Sequence, residues 1–452
     1  MSQPEQNKSS ESPSTSPLNY GPSPTALVLA VSGSVAFAIM GDSLLYAILP
    51  LAAGSLGLSP RHVGMLLSAN RLIRLFSNTW FSALFARFGP YRAFLYSTIL
   101  GVLTTSAYGL GWGFTVFLIA RMGWGISWSG LRQGTFQSIW TGSDTEAGRL
   151  MGMMWGVVRG GSAVSAVLGG FLFDHYGYHV TIWSIVGLSA LAIPIALGLS
   201  WPASASPDSK DQRSDPSTDS HAAGPEAAEE PPTKGPKVLQ GWKGALTDPL
   251  QRSVLLVGFF KLLLNSSLVA TASVFLAENF GSGSGELPLG LEVGAMAGIV
   301  LGTRWFSDLF LGAVMGALSD WIGRIRLTIV LVALLCLGLT AMLAIPNSLS
   351  IVALLAVLII STGVNVILDT YANQAALVTP QPQLFVGAYA TASDLGSAVG
   401  PLFAFSLVSA VGFAPVYGVA ALLVVVTVSN LVALDLRLAR QKPVEESAMS
   451  RA

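Results

Sequence analysis

The sequence has little charge, and this excludes a water-soluble protein. Only 11% of its 452 residues are charged, and its mean hydropathy is +0.61. A soluble domain carries about 25% charged residues, so this chain could not cover the surface of a soluble globule. The composition predicts a membrane protein.

Cysteine and histidine are also scarce. The single cysteine, Cys336, excludes an internal disulfide and any cysteine-based zinc or iron–sulfur site. The four histidines are scattered; His175 and His179 lie one turn apart but flank Gly177, so we interpret them as polar loop residues. The sequence therefore predicts no metal site and no cofactor.

No excess of charge of either sign is present. The 24 Lys and Arg residues balance the 24 Asp and Glu residues. A nucleic-acid partner would require a basic excess. A Gly-rich phosphate loop and a cluster of nucleophile and base are missing as well, so we predict that the chain is not an enzyme.

Long apolar runs are what the sequence has in abundance. A membrane-spanning helix needs about 20 mostly apolar residues, whereas barrel strands alternate over about ten. We therefore predict an all-α membrane protein with 12 transmembrane helices. The spans are 25–52, 60–85, 91–111, 114–140, 147–173, 178–200, 252–278, 290–317, 327–345, 349–378, 383–410 and 413–435.

Two polar stretches set the domain boundaries. Residues 1–24 are rich in Ser and Pro, and residues 201–251 have few bulky apolar side chains, a composition that does not offset chain entropy. We predict a disordered tail at 1–24, six-helix bundles at 25–200 and 252–436, a disordered linker at 201–251, and a tail at 437–452. Near Trp242, the linker forms either a surface helix or a tether with one lipid-facing ring.

The distribution of cations predicts the orientation. With the N-terminus inside, Arg61 is the cation of the outer loops, whereas the other loop cations lie on the inner side. Cytoplasmic loops carry the excess of Lys and Arg. We therefore predict a multi-pass protein of the bacterial cytoplasmic (inner) membrane, with both termini and the linker in the cytoplasm.

An internal repeat relates the two predicted bundles. The matches are Leu84 with Leu318, Gly89 with Gly323 and Arg92 with Arg326 at an offset of 234, and 161–164 with 396–399 (both Gly-Ser-Ala-Val) at an offset of 235. Two matches at nearly one offset indicate two halves derived from one unit. Parallel repeats of this kind are typical of transporters whose halves rock about a central site.

Residues 316–326 carry a specific resemblance. They resemble the G-x-L-x-D-x-x-G-R-x-R signature of the major facilitator superfamily, and the resemblance extends over the chain except the tail and linker. It implies two six-helix bundles related by pseudo-two-fold symmetry. It also implies a conformational latch formed by Asp320, Gly323, Arg324 and Arg326. The first-half copy has Ala86 in place of the Asp, so no latch role is carried over to it.

Other motifs resemble those of 12-helix drug/proton antiporters. Residues 42–50 (DSLLYAILP) resemble their first-helix motif, and Arg121 through Gly125 resembles the R-x-x-x-G motif linked to proton coupling. The G-x-x-x-G-P motif expected in helix five is incomplete, because Gly161 replaces the proline. It is complete at 396–401 in helix eleven, so antiport is implied by part of the pattern.

Charged side chains within the spans are the best pointers to function, because each costs several kcal/mol unless it is paired or hydrated. They are Asp42, Arg71, Arg74, Arg121, Arg132, Arg159, Lys261, Arg304, Asp308, Asp369 and Asp394. Basic residues outnumber acidic ones, which favours an anionic or zwitterionic solute.

Arg71 and Arg74 share one helix face, where their forked guanidinium groups suit an anion. The alternative is that Asp42 or a carbonyl group neutralises them. Arg159 either faces the cavity or pairs with Asp42 or Asp394. With aromatic residues as flat walls, the predicted substrate-binding residues are Arg71, Arg74, Arg159, Tyr46, Trp124, Trp155 and Tyr389.

Buried carboxyl groups are candidates for proton coupling, since a site of low dielectric constant favours proton uptake. The predicted coupling residues are Asp42, Arg121, Asp369 and Asp394. The competing role for the carboxylates is a fixed ion pair with Arg71, Arg121, Arg159 or Lys261. Arg304 and Asp308, spaced i,i+4, are expected to neutralise each other.

These patterns predict a monomeric secondary active transporter in the lipid bilayer. It moves a small organic solute, anionic or zwitterionic, by alternating access coupled to protons. The alternatives are a multidrug efflux antiporter, a transporter of an anionic metal chelate or siderophore, and a non-transporting membrane sensor or scaffold.

Overall fold

A computed structural model describes residues 23–143, 145–201, 244–281, 287–345, 347–377, 379 and 382–449. Over these residues the regular structure is helical, with one short 3₁₀ turn at Pro288–Gly290 and no strand. The predicted tail at 1–22 and most of the linker, including Trp242, lie outside the described residues. The all-α prediction is confirmed for the part of the chain that the structure covers.

The first half contains seven helices. They are α1 (Pro24–Ala38), α2 (Met40–Ala52), α3 (Pro60–Leu72), α4 (Arg74–Tyr108), α5 (Gly113–Ile139), α6 (Ala147–Ala190) and α7 (Ala192–Leu197). Ile39 joins α1 to α2, so these two helices form one spanning segment. Ser59 begins α3 by accepting the backbone N–H of His62, while the His62 ring accepts the N–H of Ser59.

The second half contains six long helices. They are α8 (Pro249–Phe280), α9 (Val293–Ile322), α10 (Arg324–Ala344), α11 (Leu349–Leu377), α12 (Pro382–Val411) and α13 (Phe413–Met449). The predicted last span, 413–435, agrees with the apolar part of the last helix. The helix itself continues past the apolar span Phe413–Arg437 into the charged C-terminal sequence.

Twelve spanning segments result. Eight helical stretches of the described residues are long and apolar enough to cross a membrane. One of them, Ala147–Leu197, contains two segments, and residues 60–139 supply three more that carry more polar and charged side chains. The prediction of twelve transmembrane helices is therefore confirmed.

Single glycines replace several of the predicted loops. Gly89 divides α4 with φ 77° and ψ 163°, and Gly323 separates α9 from α10 with φ 88° and ψ 139°. A side chain is strained at positive φ. These two glycines are equivalent in the repeat, so the duplication seen in the sequence is also present in the backbone. Their end of the bundle is called the inner end, after the predicted orientation.

The halves touch at the opposite, outer end. There α6 packs on α9, where a Cβ atom at Gly298 would overlap the carbonyl oxygen of Ala166. Likewise α3 packs on α12, where the Leu402 N–H donates to Ser68 Oγ at 3.2 Å. Toward the inner end, Gly152 on α6 and Gly312 on α9 have no neighbour within 4 Å of a Cβ position. The contacts between the halves that involve these described residues thus lie toward the outer end.

Candidate functional site

A buried ion pair lies at the centre of the first half. Asp42 on α2 accepts a hydrogen bond from Arg121 Nη1 on α5 and one from Asn70 Nδ2 at 2.8 Å. Arg121 Nε also donates to the Leu66 carbonyl at 3.0 Å. Arg121 is fully buried and Asp42 is 7% exposed. In this conformation Asp42 therefore forms an ion pair with Arg121, which is the alternative to a free carboxyl group.

Arg71 and Arg74 are bound by aromatic and hydroxyl groups rather than by carboxylates. Arg71 Nε donates to Tyr46 OH at 3.3 Å, and its guanidinium carbon lies 5.8 Å from the Tyr46 ring centre. Arg74 lies 5.5 Å from the Trp128 ring centre, and its Nε has no hydrogen-bond partner in the described part of the chain. Trp124 stacks on Trp128 with centroids 5.6 Å apart.

Asp42 forms no ion pair with Arg71 or Arg74, since its Oδ1 is bonded to Arg121 and Asn70, but its charge acts on both arginines through space. Asp394 of the second half also acts electrostatically on Arg71 and Arg74, less than Asp42 does. It forms no ion pair with them among the residues described. As whole residues both arginines are half-buried, while the Nε of Arg74 is buried.

One carboxylate serves two arginines between α6 and α9. Asp308 Oδ2 lies 3.4 Å from Arg159 Nε and 3.7 Å from Arg304 Nη1. The alternative in which Arg159 pairs with Asp42 or Asp394 was wrong, because α9 packs beside α6 and brings Asp308 to Arg159. The expected Arg304–Asp308 pair is present but shared, which leaves one positive charge in excess.

The second half has its own charged cluster. Lys261 on α8 pairs with Asp369 on α11 and also donates to the Asn365 carbonyl at 3.1 Å. Tyr389 OH donates to Asp369 Oδ1 at 2.5 Å. The Asp369 side chain is 56% exposed, whereas that of Lys261 is 2% exposed. The Asp369 carboxylate is thus partly exposed, and the buried Lys261 ammonium group neutralises its charge.

The predicted aromatic residues divide into two groups. Trp155 and Tyr389 are half-buried, and Trp155 stacks under Arg159 at 5.5 Å. Trp124 and Tyr46 are almost completely buried. In this conformation the buried Trp124 ring packs near the Arg74 guanidinium and is not exposed as part of a cavity wall.

The residues predicted to form a latch lie at the inner end. Arg324 Nη2 lies 3.3 Å from Asp435 Oδ2 on α13, and its guanidinium stacks 4.4 Å from the Tyr371 ring centre. Asp320 and Arg326 are exposed and form no ion pair with any described residue. This agrees with the separation of the two halves at that end.

A carboxylate also joins the halves at the outer end. Asp174, near the middle of α6, accepts the backbone N–H of Gly294 at 3.0 Å and that of Ala295 at 2.6 Å. These two N–H groups begin α9 and have no partner within their own helix. Asp174 thus caps a helix of the opposite half, a contact that sequence reasoning missed because 120 residues separate the partners.

Asp174→Ala is expected to weaken closure of the outer end. Loss of a capping side chain costs about 0.5–2 kcal/mol, so amide hydrogen exchange at 294 and 295 rises. Asp248→Ala is the matched control, because Asp248 caps α8 within its own half by accepting the Gln251 N–H at 2.7 Å. Exchange mass spectrometry checks this: equal exchange at 294 and 295 in both variants would contradict the role of Asp174.

The comparisons with known proteins agree with this architecture. A bacterial homologue of the human lysosomal transporter Spinster, solved in an inward-facing and unoccupied conformation, has a TM-score of 0.63 and 16% identity, covering 91% of this chain and 95% of that chain. The nucleoside transporter NupG has a TM-score of 0.68 and 13% identity, covering 91% and 98%. A search of curated proteins finds no match. The sequence pattern of the Major Facilitator Superfamily matches residues 31–401, and the chain belongs to that family.

Proposed function

We propose that this protein is a secondary active transporter for a small organic anion or zwitterion, driven by protons. The observation that carries the proposal is the pair Arg71 and Arg74, two half-buried arginines three residues apart at the junction of α3 and α4, with no carboxylate of the described residues bound to either. Two neighbouring cations repel each other until an anion lies between them. A guanidinium fork suits a carboxylate or phosphate group.

A site between the halves would draw on charged residues of both. Arg71 and Arg74 belong to the first half, while Asp394 and Asp369 belong to the second. An anionic group at the arginines and a cationic or hydroxyl group at the carboxylates would span both halves. A solute held in this way stabilises each closed state through contacts with both bundles, which is what alternating access requires.

Asp42 is the first candidate for proton coupling. Its carboxylate holds Arg121 in place, so protonation of Asp42 would weaken that pair and release a buried cation. Asp394 and Asp369 are further candidates, with Asp369 already balanced by Lys261. The inner end would face the cytoplasm, as the distribution of cations predicts, and the protein would act as a monomer.

Arg74→Gln is expected to abolish solute binding. A ligand at a hundred times its Kd stabilises the folded state by about 2.7 kcal/mol, so a matching anion raises the melting temperature of the purified wild-type protein. The probes are organic carboxylates, organophosphates, nucleosides and lipophilic cations. Arg87→Gln, on the exposed inner surface, is the control and retains the shift.

Two outcomes of this screen are decisive. A shift with anions that is lost only in Arg74→Gln supports the proposed site. If lipophilic cations alone raise the melting temperature, the proposal of an anionic solute is wrong and the alternative of a multidrug efflux antiporter replaces it.

Asp42→Asn is expected to separate transport from its driving force. In proteoliposomes with a pH gradient, the variant exchanges the solute identified by the screen but no longer accumulates it. Accumulation equal to that of the wild type would show that Asp42 is not the coupling carboxylate. A wild-type protein that binds but never moves the solute would favour the sensor alternative.

A further inference from the structure

Three charged side chains meet where α6 of the first half faces α9 of the second. Asp308 Oδ2 lies 3.4 Å from Arg159 Nε and 3.7 Å from Arg304 Nη1. Both distances exceed the value of about 2.7–2.9 Å that is typical of a charge-assisted hydrogen bond. Arg159 donates no hydrogen bond to any residue that the structure describes. An anion that reaches Arg159 with better geometry can therefore displace Asp308.

The excess positive charge of these three side chains is accessible on Arg159. Its side chain is 34% exposed, whereas those of Arg304 and Asp308 are 9% and 12% exposed. Arg304 also donates to Thr362 Oγ1 at 3.2 Å. Arg304 and Asp308 can therefore neutralise each other within α9, which leaves the Arg159 guanidinium for an anionic group of a ligand.

The exposed part of Arg159 does not face lipid. Val164 and Leu168, two exposed apolar residues farther along α6, mark the side of this helix that faces the bilayer. At 3.6 residues per turn, Val164 lies about 140° and Leu168 about 180° around the helix from Arg159. The partner of Arg159, Asp308, belongs to the opposite half. Arg159 thus faces the space between the two halves.

Arg159 is also near the proposed anion site at Arg71 and Arg74. The charge of Arg71 acts on Arg159, and the charge of Asp394 in the second half acts on Arg71 and Arg74. Asp394 forms no ion pair among the residues described, so it offsets part of the positive charge of the three arginines. The charge that remains favours a solute with two anionic groups over a zwitterion.

We propose that the solute carries two separated anionic groups, and that Arg159 binds the second group while Arg71 and Arg74 bind the first. The inference rests on the proposed function and narrows its solute class to a small dianion such as a dicarboxylate. The second anionic group replaces Asp308 as the partner of Arg159. Because that exchange breaks an ion pair between α6 and α9, binding of the dianion also weakens a contact between the halves.

Equilibrium binding of matched ligands to the purified full-length protein tests the second contact. The probes are linear dicarboxylates of increasing length and the monoamide of each, which has the same size but one charge fewer. We expect the best dicarboxylate to bind about tenfold more tightly than its monoamide, as one charge-assisted hydrogen bond predicts. Arg159→Gln removes this preference. Arg149→Gln, the matched control on the same helix, retains it, because Arg149 pairs with Glu146 on the exposed surface.

Asp308→Asn distinguishes a ligand contact of Arg159 from a structural role. The variant lacks the competing carboxylate, so dicarboxylates are expected to bind several-fold more tightly while the monoamides change little. Unchanged or weaker dicarboxylate binding in this variant overturns the inference, since a purely structural Arg159 would give that result.

The wild-type protein separates failure of this inference from failure of the proposed function. If dicarboxylates bind no better than their monoamides, or if an amino acid or a phosphate monoester binds more tightly than every dicarboxylate, the second contact is wrong and the anion site at Arg71 and Arg74 stands. If no anion binds at all, the proposed function fails and this inference fails with it.

Discussion

Arg121→Ala is expected to lower the free energy of unfolding by about 3–5 kcal/mol, because it leaves the buried Asp42 carboxylate without its counter-ion. Asn70 alone remains bonded to that carboxylate among the described residues. Replacing both partners, as in Asp42→Asn with Arg121→Gln, removes both charges and should recover much of the loss. Denaturation of the purified protein, followed by intrinsic fluorescence, measures each variant and gives the coupling energy of the pair.

The chain offers an exposed ion pair as a control. Arg149 and Glu146 lie 2.7 Å apart, with side chains 55% and 41% exposed. Hydrogen bonds from Ser143 and Arg149 lower the pKa of Glu146, so this pair is formed, but in contact with water. Exposed pairs contribute little to stability. If Arg149→Ala destabilised the protein as much as Arg121→Ala, burial would not be the cause.

Gly298→Leu is expected to force the outer end apart. The Gly298 position on α9 lies against the backbone of α6, where a Cβ would be 3.3 Å from Val167 Cα. A leucine cannot be accommodated by repacking of side chains when the obstacle is backbone. Overpacking of about 3 kcal/mol changes the ratio of two states by roughly a hundredfold. The population should therefore move toward a state that is open outside.

Spin labels on Tyr176 and Val411, exposed residues at the outer ends of the two halves, report this change as a longer distance. Gly312→Leu is the matched control on the same helix, because a Cβ there meets nothing within 4 Å. It should leave the distance distribution as in the wild type. A wild-type distance in Gly298→Leu would show that the α6–α9 contact does not hold the outer end closed.

The fold was predictable from the sequence because its main determinants are local. The length of each apolar run sets a spanning helix, and the repeat at Gly89 and Gly323 relates the two halves. Both glycines could be located from the motif, but not their conformation. The apolar pattern located the last span but not the end of its helix, since helix geometry continues into charged sequence.

The partners of the charged residues were harder to predict. Proximity between distant helices depends on which end of the bundle is closed, and a sequence pattern does not encode that state. The pairing of Arg159 with Asp308 was therefore not among the alternatives considered, and the capping of α9 by Asp174 gave no local signal. The i,i+4 pair of Arg304 and Asp308 was predicted correctly because it lies within one helix.

The one-residue breaks at Gly89 and Gly323 have a mechanical consequence. A connection of a single residue allows little independent movement, so the two helices that it joins are expected to tilt together. A movement of one helix by a few ångströms near the solute would then move the other helix as well, because no flexible loop lies between them. Inserting two flexible residues beside Gly323 would let α9 and α10 move independently, leaving solute binding intact while slowing turnover.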